Sequence, residues 1–175
     1  MRVTRFRWTY RLRQGLTRLC VALTPGRIDE SPARARLSSQ VWELYSHMAP
    51  GDRVHGLCVL ARLEAQGTVS LPLAKAALLH DVGKAEGRLS LPYRTAVVLL
   101  GDRLSGWASA ERSSWRYPFY VHLHHAKRGA ALCAEAGCDP QVVALVRWHE
   151  TPLAQVPDGA LHDSLAALQA ADDQC

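Results

Sequence analysis

Residues 70 to 84 read SLPLAKAALLHDVGK, a helix that ends in a contradiction. Ser70 is a natural N-cap, and Pro72 falls in the first turn, where a missing N–H costs nothing. Leu73, Ala76, Ala77 and His80 recur at i, i+3, i+4 and i+7, so they share one helical face. The apolar members of that face should be buried, yet its last position is a histidine, followed at once by Asp81. Gly83 or Gly87 should then loosen the helix, with Lys84 between them. A buried carboxylate is costly unless it is paired, hydrogen-bonded or bound to a metal. The partners must come from elsewhere in the chain.

Further helices follow on both sides. Asp139-Pro140 is an N-cap and first-turn pair, and Val142, Leu145, Val146 and His149 then lie on one face. Leu161, Leu165, Leu168 and Asp172 form one stripe of the last helix. Between Lys84 and Asp139, 119–136 is a long helix with Gly137 as its stop, and 91–104 is a shorter apolar one. Upstream, 37–48 is helical, and Asp52 can cap a helix that runs to Gln66, with Gly67 at its end. Residues 105–117 and 151–159 are loop-like, as is the stretch with Pro32 that precedes residue 37. Trp8, Leu12, Leu16, Leu19 and Leu23 make an amphipathic stripe flanked by arginines, ended by Pro25-Gly26. No alternating pattern of useful length occurs. The expectation is an all-α bundle of seven or eight helices.

A chain of 175 residues suits one domain with a real core. It divides into a basic N-terminal helix over 1–27 and a helical domain over 28–175. The net charge of +5 belongs to the first segment, which holds seven arginines and no acid. The remainder carries 14 basic against 16 acidic residues. That balance argues against specific nucleic-acid binding. The basic helix either packs on the domain or, over residues 1–24, makes a peripheral membrane or partner contact. No apolar run is long enough to span a bilayer. The five cysteines include no CxxC and read as reduced thiols, which with the rest points to a cytoplasmic protein.

Three helices thus place His80, His149 and Asp172 on faces meant for burial. One buried histidine is usually a satisfied core residue. Several imidazoles and carboxylates from separate helices are a known way to build a metal site in a bundle. Mixed nitrogen and oxygen donors point to Mn or Fe first, with Mg, Co or Zn also compatible.

The ordered set His55 in DRVHGLCVLARL, His80-Asp81 in LLHDVGK and Asp172 in LQAADD resembles the HD-domain superfamily of metal-dependent phosphohydrolases. HHAKRGAALC and VRWHE resemble the two extra histidine positions of its dinuclear subset, and the likeness covers about residues 50–173. The resemblance implies that His55, His80, Asp81 and Asp172 hold one metal. It implies that Asp81 bridges to a second, held by His125 and His149. His125 is preferred to His124 because Gly129 supplies the small residue four positions on, and Asp172 to Asp173 because it continues the stripe from Leu161. Lys84 would sit one turn after His80 and reach a substrate phosphate. His122 has no role in the family; Arg53, His47 and His162 are left outside the site.

WHE is followed by TPLAQVPDGALHD, with neither a second adjacent histidine nor a GYP element, which argues against cyclic di-GMP hydrolysis. The long extensions of ppGpp hydrolases are missing too. Tyr93, Trp107, Trp115, Arg116 and Tyr117 suit either a core or a base-stacking surface. The expected function is hydrolysis of a phosphate ester or phosphoanhydride of a nucleotide or other small phosphorylated substrate, by a metal-activated water. The rival is a non-catalytic HD-type scaffold that keeps a structural metal.

Overall fold

In the computed structural model, which describes residues 28–67, 69–87, 106–157 and 159–175, every regular element is helical. In chain order these are α1 Ser31–Arg34, α2 Ser39–Ser46, α3 Pro50–Gln66, α4 Leu71–Leu79, α5 Tyr117–Glu135, α6 Pro140–Trp148 and α7 His162–Asp172. A 3-10 turn over Val82–Gly87 follows α4. The all-α class is therefore as expected. The expected helices over 1–27 and 91–104 lie outside the described residues, as does Tyr93.

Local chemistry explains most boundaries. The Ser70 hydroxyl accepts from the Leu73 N–H, and the Asp139 carboxylate from the Gln141 N–H, so both predicted caps form. Helix α5 ends in a Schellman motif: Gly137 has φ 73°, its N–H bonds the Ala134 carbonyl, and the Cys138 N–H bonds that of Cys133. Two expectations change. Asp52 is not a cap; α3 starts two residues earlier, at Pro50, whose fixed φ suits a first helical position. Asp52 lies buried in the first turn instead. Residues 31–34, expected as loop, form a short helix with Pro32 in its first turn.

Helix α4 is the centre of the molecule. Ala74 and Ala76 to Leu79 are almost wholly buried, and α4 packs against α3, α6 and α7. Such small and apolar residues let four helices approach without voids. Beyond α4, the 3-10 turn lies directly under α5. That crossing depends on Gly83, where a Cβ would fall 2.1 Å from the His125 carbonyl oxygen and 2.7 Å from the Gly129 nitrogen. Glycine is required here for close backbone approach.

One cysteine expectation is overturned. Cys58 of α3 and Cys175 form a disulfide, with Cα atoms 6.0 Å apart, while Cys133 and Cys138 are free thiols. The partners are 117 residues apart in sequence, and the packing of α7 on α3 brings them together. Among the described residues no helix is long and apolar enough to cross a membrane.

Candidate metal centre

Five helical elements end at, or pass, one buried point. His55 comes from the second turn of α3, His80 caps the C-terminus of α4, and Asp81 is the next residue. His125 projects from the middle of α5, and His149 caps the C-terminus of α6. All five are buried, His125 completely. Asp172, the last residue of α7, is partly exposed at the edge. Two overlapping groups have ligand atoms close enough to share a cation, His55–His80–Asp81 and Asp81–His125–His149. Asp81 belongs to both.

The histidines are held in one tautomer. Nδ1 of His80, His125 and His149 each donates to the carbonyl three residues earlier, at Ala77, His122 and Val146, over 2.9, 2.6 and 2.7 Å. A carbonyl only accepts, so each Nδ1 carries a proton and each ring turns its Nε2 inward. Those three Nε2 atoms face the same Asp81 oxygen, Oδ1, at 3.8, 3.4 and 3.9 Å. Nε2 of His80 is buried and makes no hydrogen bond, and Nε2 of His125 and His149 face one another at 3.3 Å. Acceptors gathered around a carboxylate are what a divalent cation needs, and the backbone carbonyls serve as the outer partners that orient metal-bound imidazoles. The residues present fit a metal. His55 differs, because its Nε2 contacts Asp172 Oδ1 at 2.7 Å, while Nε2 of His80 lies 3.7 Å from the same oxygen.

The electrostatics match. Burial raises the Asp81 carboxyl, but Lys84 first, then His80 and His125, outweigh it and hold the group well below the ordinary carboxylate range. Asp172 is also held low: burial raises it, and the hydrogen bond and charge of His55, with His80, more than offset that. His149 is pushed down to about 3 by burial and by its neighbours His80 and His125, so it is neutral and able to coordinate at physiological pH.

Lys84 is at the site by a different route from the one expected. The helix does not persist past His80, so Lys84 does not share its face. The 3-10 turn instead sets Lys84 three residues from Asp81, and its ammonium meets Oδ1 at 2.6 Å. His124, the rival of His125, is exposed and packs on Tyr120. Asp173 is exposed, Arg53 pairs with Glu30, and the His47 and His162 rings meet the carbonyls of Glu43 and Val156. Trp107 and Trp115 are exposed, 57% and 59%, so they are not core; Tyr117 is buried. Sequence reasoning passed over Glu150. Its carboxylate Oε1 stands 3.6 Å from Nε2 of His125, and no helical stripe could mark it, because it follows the end of α6. The chain matches no protein-family model, no curated protein and no solved structure.

Proposed function

We propose that the chain is a metal-dependent phosphohydrolase of the HD type, acting on a nucleotide or another small phosphorylated compound. The observation that carries this reading is Asp81: one buried carboxylate shared between two donor groups, faced by three oriented imidazoles. In this reading His55, His80, Asp81 and Asp172 hold one ion, and Asp81, His125 and His149 a second. Mn or Fe suits these donors best. A bound ion pair lowers the pKa of water toward neutrality and polarises a phosphoryl group. The chain's own share is to aim the imidazoles, to keep Asp81 ionised, and to present a cation to phosphate. Lys84 would be that cation: its ammonium stands beside Asp81 at the site and would be at hand for phosphoryl oxygens.

The test is a panel of phosphomonoesters, phosphodiesters and nucleotides, offered to the full chain with Mn²⁺ and again with a chelator. Metal-dependent phosphate or nucleotide release from at least one class is expected. A metal-loaded protein inert to the whole panel is instead a metal-bearing scaffold.

A further inference from the structure

The second donor group holds three protein ligands, and a fourth stands beside it. We infer that Glu150 is the fourth protein ligand of the second ion, an inference that rests on the metal-site reading above. Nε2 of His125 is the reference point. From it, the distances to Nε2 of His149, Oδ1 of Asp81 and Oε1 of Glu150 are 3.3, 3.4 and 3.6 Å. Two ligands bonded to one cation at about 2.0–2.2 Å lie at most about 4.4 Å apart. The three distances fall within that span, as does the 3.9 Å between Asp81 Oδ1 and Nε2 of His149.

The chemistry of the contact points the same way. His125 Nδ1 donates to the His122 carbonyl, so Nε2 is the ring atom turned toward Asp81 and Glu150. Glu150 is also placed to reach the ion from outside. Its side chain is 53% exposed while its oxygen approaches a histidine that is wholly buried, so it closes the site from the solvent side. With it, the second ion has two nitrogen and two carboxylate ligands. Because Glu150 alone of the four is exposed, it is the ligand that an incoming anion displaces. The two ions thus differ: one is enclosed by buried donors and Asp172, and the other carries an exchangeable carboxylate.

The experiment is calorimetric and visible-absorption titration of the metal-free full chain with Co²⁺, for wild type, Glu150→Gln and His149→Ala. Four-coordinate Co²⁺ absorbs more strongly in the visible than six-coordinate Co²⁺, so the spectrum reports the ligand set. Wild type should take up two ions. Glu150→Gln should bind the first with unchanged affinity and the second at least about tenfold more weakly, with the second spectrum altered. His149→Ala should lose the same step. Because Glu150 is exposed, the fold should survive its substitution, which far-UV circular dichroism verifies. Two ions bound by Glu150→Gln with wild-type affinity and spectrum would overturn the assignment of Glu150 alone. No cobalt uptake by wild type would overturn the metal site and Glu150 with it.

Discussion

At the scale of single residues, the molecule turns on how one carboxylate is kept charged where water is excluded. Asp81 meets Lys84 at 2.6 Å, and both are largely shielded from solvent. Removing one member of such a pair leaves an uncompensated charge, at a cost of about 3–5 kcal/mol. Lys84→Met should therefore destabilise the metal-free protein by that order in urea unfolding. Saturating Mn²⁺ should restore most of the loss, since a cation then takes the place of the ammonium. A metal-free variant as stable as wild type would mean that Lys84 is not the counterion of Asp81. Much of this site is legible in the sequence, and for a physical reason. His80, His149 and Asp172 interrupt apolar stripes, and a polar group on a buried face needs an explanation. His55 and His125 are not visible that way. The buried face of α5 contains Gly129 and Ala130, too small to draw a stripe, so His125 emerges only through its likeness to a known motif. Glu150 has neither signal.

At the scale of elements, the decisive contact is between the 3-10 turn and α5. Their backbones meet at Gly83 and Gly129, with no side chain between. The sequence offers Gly83 as a helix breaker; the fold uses it as a place for another helix to lie. Because His125 rides on α5, the same contact sets its distance from Asp81. Gly83→Ala cannot be absorbed by a rotamer change, since the clash is with backbone. It should cost at least about 1–3 kcal/mol, read as a lower thermal midpoint. It should also weaken metal binding, because α5 must lift away from Asp81. Wild-type melting and metal affinity in this variant would show that the two backbones are not held so closely. Helix ends were the less legible part of the elements. Pro50 rather than Asp52 starts α3, because a side chain that can cap does not decide whether the preceding turn is already helical.

At the scale of the whole molecule, the all-α class follows from periodicity, while the long-range closure does not. The Cys58–Cys175 disulfide joins α3 to the residues just past α7. His55 lies three residues before one cysteine and Asp172 three before the other, so the bond clamps the two helices beside their 2.7 Å contact. Reduction should lower stability by about 2–5 kcal/mol and weaken binding at the His55–His80–Asp81–Asp172 site more than at the other. Equal metal affinity before and after reduction would show that Asp172 needs no clamp. Over all three scales the central claim is that Asp81 organises a metal centre. Its most direct measurement is the metal content of purified wild type, Asp81→Ala and the near-isosteric Asp81→Asn by elemental analysis, with circular dichroism on each. The account predicts two equivalents in wild type and none in at least one variant that remains helical. Folded variants that retain the full metal content of wild type would contradict it.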